Sequence, residues 1–433
     1  MIVEYNTLNR VFQRKNMFIL KNRQTFIGLS LLVVLLILGN LILETKLFYR
    51  LIIGLGFGYA LARASIGFAG SVNKLVRTGS STLASALMIM FLLTAIVTAF
   101  FIYGDESAYK LKINPINAAL ILGGLMFGFG MTFSSCCATG SLTDLSSGFS
   151  RAVVAIFFLS FGVFMGFNTQ ATTSFVKDSF VTSKIGEGFQ GGVFLPDLFT
   201  FDGFNGYLGA IVLTAVLTFI VIYFARSYEK KYYTRHGFTP AVTADESKGM
   251  TKKEAIFDTV FVKPWKMRVS VVIITLLFAS LLFLYDKGWG ASTAFGLWFA
   301  KLLMLFGMSA DTLANYTHKS IEFFTTPLLS HGTSVQNISI ILGAFFYLLI
   351  AGKFKNKFRA GLNITTKNFF VYAFGAFLMG FGTRLSNGCN VGALYTPIAE
   401  FSLSGWLYLV VVVIGGFVGN WTLNKYVNKS CTV

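Results

Sequence analysis

"GFGMTFSSCCATG", Gly128–Gly140, interrupts a long apolar run with glycines, serines and two adjacent thiols. "GFGTRLSNGCNVG", Gly380–Gly392, repeats the arrangement near the other end of the chain. At one constant offset and without a gap, Gly123 matches Gly375, Gly128 matches Gly380, Phe129 matches Phe381 and Gly130 matches Gly382. In the same register Ser134 falls on Ser386, Cys137 on Cys389, Gly140 on Gly392 and Leu142 on Leu394. The chain has only four cysteines in 433 residues. A cysteine pair inside a shared glycine frame therefore marks an internal repeat. One residue further in offset, "GSS" at Gly79 falls on "GTS" at Gly332, each opening a long apolar run. Both halves share one order: small-residue turn, long span, loop, Gly-rich span, Cys turn, long span.

The composition sets the environment of this repeat. Hydrophobic residues make up 55% of the chain and charged residues 12%, against about 25% charged in soluble domains. So few charges cannot cover a water-facing surface. Residues 24–43, 82–103, 113–143, 152–176, 206–225, 269–285, 323–352, 368–383 and 401–424 contain no Asp, Glu, Lys or Arg. A helix crosses ~30 Å of hydrocarbon with about 20 such residues. The reading is an all-α polytopic membrane protein. It has about nine to eleven transmembrane helices, in two inverted repeats with re-entrant Gly/Cys half-helices. No hydrophilic stretch is long enough for a separate soluble catalytic domain.

The formal charge of +18 could suggest a nucleic-acid binder, but the positives cluster in short loops, as the positive-inside bias expects. Residues 1–23 read as a basic cytoplasmic tail, followed by a retained first span rather than a cleaved signal. Residues 24–168 form membrane repeat 1, 169–205 an external loop, and 206–225 an extra transmembrane helix. Residues 226–268 form a basic cytoplasmic linker, 269–424 repeat 2, and 425–433 a C-terminal tail. The span after Lys74 and Arg77 is followed by Asp105 and Glu106, whereas its repeat partner is followed by Lys353, Lys355, Lys357 and Arg359. The two copies therefore run in opposite directions. Segment 287–333, with Pro327 near its end, reads as a re-entrant element. The basic loops face anionic lipid and no nucleic acid. Cys431 lies in the reduced cytoplasmic tail, the three histidines lack metal-ligand spacing, and no metal or cofactor is expected.

Glycines at i and i+2 followed by a thiol turn are poor material for one continuous helix, since each costs about 1 kcal/mol against Ala. The expected form is a Gly-rich helix ending near Ser134 or Ser386, a turn, and a short half-helix. Gly128, Gly130, Gly140, Gly380, Gly382, Gly388 and Gly392 supply the frame. Freed N–H groups at a half-helix N-terminus favour an anion. The same glycines also suit close helix packing. A thiol in apolar surroundings stays an S–H, a weak donor that does not repel anions. Cys137 and Cys389, one per repeat, could pass a soft anion along through weak contacts, as conduction requires. Cys136 adjoins the first, Asn387 and Asn390 flank the second, and Ser134 and Ser386 are read as lining the same substrate pathway. Arg384, at membrane depth, either attracts an anion or snorkels from a helix end. Arg63 is similar and Lys301 a weaker case. Asp144 is placed to cap its half-helix.

"GGLMFGFGMTFSSCCATG" and "GFGTRLSNGCNVGALYTPIAEFSLSGW" resemble the duplicated glycine–cysteine signatures of the YeeE/YedE membrane proteins. "GFGYALARASIGFAGSVNKLVRTG" resembles a third family motif, an Arg-containing stretch usually followed by Cys-Phe. The resemblance covers roughly residues 50–168 and 290–424. It implies uptake of thiosulfate or related sulfur compounds, or selenium supply in some members. It also implies a cysteine relay along the pathway and a cytosolic sulfur-carrier protein as partner. Two positions depart: Gly67 stands where the family usually has Cys, and Cys136 where it usually has Gly. The expected function is a non-enzymatic permease of the bacterial inner membrane for a small sulfur-containing anion. The alternatives are a membrane sulfurtransferase working through a persulfide on Cys389 or Cys137, and a selenium-compound transporter.

Overall fold

The structure is a computed structural model describing residues 23–236 and 256–427. The N-terminal tail, most of the linker and Cys431 lie outside the described residues. Among those residues ten helices are long and apolar enough to cross a bilayer, as the uncharged runs require.

The first half contains α1 (Arg23–Ile42), α2 (Thr45–Ala64), α3 (Phe68–Thr78) and α4 (Thr82–Ile102). Then come α5 (Ala118–Phe133), α6 (Ala138–Asp144) and α7 (Phe149–Thr172). The connecting helix α8 (Tyr207–His236) continues well past its apolar run, through residues read as linker. The second half contains α9 (Met267–Tyr285), α10 (Ser292–Leu305), α11 (Ala310–Thr317) and α12 (Gly332–Ile350). It ends with α13 (Thr366–Leu385), a π-helical turn (Asn390–Tyr395), α14 (Thr396–Ala399) and α15 (Leu403–Thr422).

Packing between the halves is reciprocal. Helix α5 packs on α15 as α13 packs on α7, α2 packs on α12 as α9 packs on α4, and α5 meets α13 directly. The glycines give the direction of that central crossing. A Cβ at Gly123 would lie 2.7 Å from the Gly382 carbonyl oxygen, and one at Gly375 would lie 2.6 Å from that of Gly130. Residue numbers thus rise along α5 while they fall along α13. Equivalent helices of the two repeats run antiparallel, which is the geometry of inverted copies. Without side chains the backbones approach closely, and small-residue packing of this kind holds helices together in lipid, where the hydrophobic effect offers little.

Segment 287–333 leaves and returns to the same place. Gly290, Ala291, Ser292 and Thr333 line one small cavity, while Leu305 and Phe306, at the far end of α10, are exposed at 83% and 80%. Helix α10 packs on α7, and Leu297, Ala300, Leu313 and Phe324 close the hairpin around Phe164. Lys301 Nζ reaches the Thr325 carbonyl at 3.4 Å, which ties the outgoing arm to the returning one.

Residues 174–205 do more than loop between spans. Val193 to Pro196 are buried, and Leu195 N–H donates to the Phe401 carbonyl at 2.8 Å while Leu403 N–H donates to that of Val193 at 3.0 Å. The segment seals the second half on the side opposite the linker.

Candidate thiol-lined pathway

Both Gly-rich helices break at equivalent residues. Ser135 and Asn387, in register with each other, each adopt the left-handed region at φ 56°. The serines before them bind both a carbonyl of the last helical turn and a carbonyl of the turn beyond it. Ser134 Oγ donates to Gly130 O at 2.9 Å and Cys136 O at 3.0 Å. Ser386 Oγ donates to Gly382 O at 2.8 Å and Gly388 O at 3.1 Å. A broken helix in lipid needs such partners, because no water reaches the carbonyls. Ser134 and Ser386 thus brace the breaks rather than line a passage.

The thiols open the second half-helices. Cys137 Sγ accepts the Gly140 N–H at 3.3 Å, as an N-cap of α6. Cys389 occupies the equivalent place before the π-helical turn. Both are 1% exposed, belong to one buried cluster and lie within electrostatic reach of each other. Gly140 and Gly392 follow in each turn. Asn390 donates from Nδ2 to Met131 Sδ at 3.7 Å, joining the second turn to α5 of the first half.

Two polar cavities approach this pair from opposite sides. On the face of the linker, a cavity of about 430 Å³ is lined by Gly67, Ser135, Cys136, Cys137, Lys353 and Lys357 among others. Asp144 and Arg151 stand at its rim as an ion pair at 2.6 Å. Asp144 therefore ends α6 and anchors α7, while the caps expected of it fall to Cys137 and Leu145.

On the far face a cavity of about 60 Å³ is lined by Arg50, Lys112, Lys287, Ser292, Gln336 and Asn387 with their neighbours. This is room for a few waters or one small anion. Three cations converge there. A Cβ at Gly392 would lie 2.9 Å from Lys112 Nζ, so the ammonium sits against the Cys389 turn. Protein surroundings and the like charge of Lys287 push Lys112 down to about 8. Behind Lys112 lies the fully buried Glu400, whose Oε2 accepts the Lys112 N–H at 2.5 Å.

The two arginines singled out in the sequence have different surroundings. Arg384 is 4% exposed, lies over the Phe167 ring at 5.2 Å and donates to Ser292 Oγ, a wall of the far-face cavity. Gly166 leaves room for its stem, since a Cβ there would come within 2.6 Å of Arg384 Cγ. Asn387 lines the same cavity and accepts from Gln170 Nε2 at 2.5 Å. Arg63 is held elsewhere. It donates to Tyr59 Oη at 2.9 Å and to the carbonyls of Lys263, Thr259 and Val260 at 3.2, 3.1 and 2.7 Å. Its guanidinium also lies 4.6 Å from the Trp265 ring. That set fastens residues 259–265 to α2 and leaves Arg63 without a place in either cavity lining. Sequence reading missed Arg50, Lys112, Lys287 and Glu400. Arg50 lies in the second turn of α2 and the other three in separate connections, and only folding brings them together.

The fold and this arrangement define a class: a multi-pass membrane protein whose inverted halves bring interrupted, thiol-bearing helices into one core. The sulphur transport family matches residues 63–418, and the chain belongs to that family. Among relatives, "Probable transporter YedE" of Salmonella typhimurium is 30% identical over 131 residues, 30% of this chain and 31% of that protein. The Escherichia coli protein of that name is 28% identical over 164 residues, 37% of this chain and 39% of the other. The chain thus spans about a third of the length of these relatives. "Thiosulfate transporter TsuA" of Spirochaeta thermophila is 22% identical over 384 residues, 86% of this chain and 98% of that protein.

Proposed function

We propose that this protein is a permease for a small sulfur-containing anion, thiosulfate first among them, and that Cys389 and Cys137 border its path. One observation carries the reading: a tri-cationic cavity adjoins the Cys389 turn on one face, while Cys137 lines a wider polar cavity on the other. The names of the full-length TsuA relatives point to the same cargo.

By positive-inside reasoning the linker face is cytoplasmic and the far face external. Arg50, Lys112 and Lys287 offset the anion's charge as it leaves water. Ser292, Gln336 and Asn387 offer donors in place of its hydration shell. Soft sulfur then meets the two thiols, each holding it weakly enough to let go. Beyond Cys137 the anion reaches Ser135, Thr143 and the basic side chains Lys353 and Lys357. Inward movement of an anion opposes a negative-inside potential by about 2.3 kcal/mol per charge per 100 mV, which gives the external cations a physical task.

Purified protein in liposomes tests the reading. Uptake of radiolabelled thiosulfate should saturate, exceed that of sulfate, and collapse in Cys389→Ala. Equal rates with protein-free liposomes would end the permease reading. A sulfur-carrier partner and placement in a bacterial inner membrane remain part of this proposal.

A further inference from the structure

Glu400 lies in the connection between α14 and α15, 0% exposed, and the anion path above does not use it. Its Oε2 accepts the Lys112 N–H. Its Oε1 lies against the Gly288 backbone, which interacts with the charged form. The charged groups facing it come from other elements: Lys112 ahead of α5 and Lys287 after α9. Behind Lys112 stand Cys389 and Arg384, and behind Lys287 stands Arg50. A fully buried carboxylate, held only by backbone, thus sits back to back with the cation that meets the anion.

We propose that Glu400 takes up one proton from water each time an anion seats in the far-face cavity, so that anion and proton binding are linked. The inference rests on reading that cavity as an anion site. Ionised Glu400 offsets the charge of Lys112 and repels an incoming anion. Protonated, it leaves the Lys112 ammonium to the anion and gives its own oxygen a hydrogen. The proton held on Glu400 offsets one negative charge in the region where the anion seats, which eases the anion's entry from water.

The sign follows from the carboxyl's surroundings. Burial raises Glu400 to about 7. Below that pH it is already protonated and anion affinity is flat. Above it each bound anion must bring a proton, so affinity falls by up to about tenfold per pH unit.

The test is calorimetric titration of sodium thiosulfate into the full-length, detergent-solubilised protein at pH 6, 7 and 8. At pH 8 it is repeated in two buffers of different ionisation heat. The wild type should show a Kd that rises above pH 7 and an uptake approaching one proton per anion at pH 8. Glu400→Gln should bind at every pH with only the smaller dependence that Lys112, itself held down to about 8, leaves near pH 8, and with a proton uptake well below that of the wild type. Infrared difference spectra give a readout without a variant, since a protonated-carboxyl band should appear in the wild type when thiosulfate is added at pH 8. Binding without pH dependence, without buffer dependence or without that band overturns the proposal. So does a Glu400→Gln protein that keeps the wild-type dependence, which would assign the proton to Lys112. Failure of the wild type to bind thiosulfate at any pH would instead sink the anion-site reading beneath it.

Discussion

A Cβ added to Gly130 would stand 2.4 Å from the carbonyl oxygen of Gly375, backbone against backbone, where α5 and α13 cross. The same contact is formed at the other end of the crossing by Gly123 and Gly382. Two helices made by one duplicated sequence thus meet through their own glycines. The thiol turns lie just beyond the crossing.

Gly130→Ala should therefore destabilise the protein by about 1–3 kcal/mol, the cost of forcing a methyl into a closed contact. Gly67→Ala serves as the control, because a Cβ there meets only Gly70 N at 4.0 Å. Apparent melting temperature in detergent, followed by loss of the monodisperse peak, checks both. A Gly130→Ala protein as stable as the wild type would contradict the tight crossing.

Loss of the thiols should act on transport and spare the fold. Cys389→Ala is expected to abolish thiosulfate uptake with an unchanged melting profile, and Cys137→Ala to reduce it with a slightly lowered melting temperature, because it removes the α6 cap. Normal uptake by both would remove the thiols from the path. A stable persulfide found by mass spectrometry after substrate exposure would favour sulfur transfer over conduction.

Lys112→Met removes the cation seated against the Cys389 turn. Charged hydrogen bonds contribute about 1.5–3 kcal/mol, so KM for uptake should rise roughly ten- to hundredfold. Lys287→Met, at a more exposed position, should have a smaller effect. Initial rates over a thiosulfate series separate KM from kcat.

Arg63 fastens residues 259–265 to α2 through three hydrogen bonds to backbone carbonyls. Arg63→Gln should lower the melting temperature and make that segment cleavable by added protease, while KM stays within about twofold of the wild type. A selective rise in KM with an intact segment would return Arg63 to the anion path.

Gly67 and Cys136 line the same linker-face cavity. A side chain at 67 has space, and its backbone is extended at φ −140°. Gly67→Cys should therefore be tolerated, and should recover uptake weakened by Cys136→Ala. Uptake in the double variant no better than in the single one would separate the two positions functionally.

Much of the fold was legible in the chain. The uncharged runs gave the spans, since a bilayer forbids unpaired charge over that length. The glycine–serine–cysteine frames gave the breaks at Ser134 and Ser386, because local backbone chemistry fixes where a helix stops. The charge switch around 82–103 and 335–359 gave the opposite sense of the halves. The site was legible only where it repeats. Cys137, Cys389, Asn387 and Arg384 stood out through the frame, whereas Arg50, Lys112, Lys287 and Glu400 carry no motif. Arg63 looked like an intramembrane charge in search of a ligand, and its ligands proved to be carbonyls of the distant segment 259–263.

By itself the sequence determined a membrane-spanning, duplicated, inverted chain with interrupted helices, because apolar length, glycine spacing and loop charge are local quantities. Only the tertiary structure decided which charges share a cavity, which arginine is held by backbone, and that a buried carboxylate backs the cation beside Cys389. Those relations depend on contacts between residues hundreds of positions apart, whose positions are set by close packing of whole helices and by no local preference.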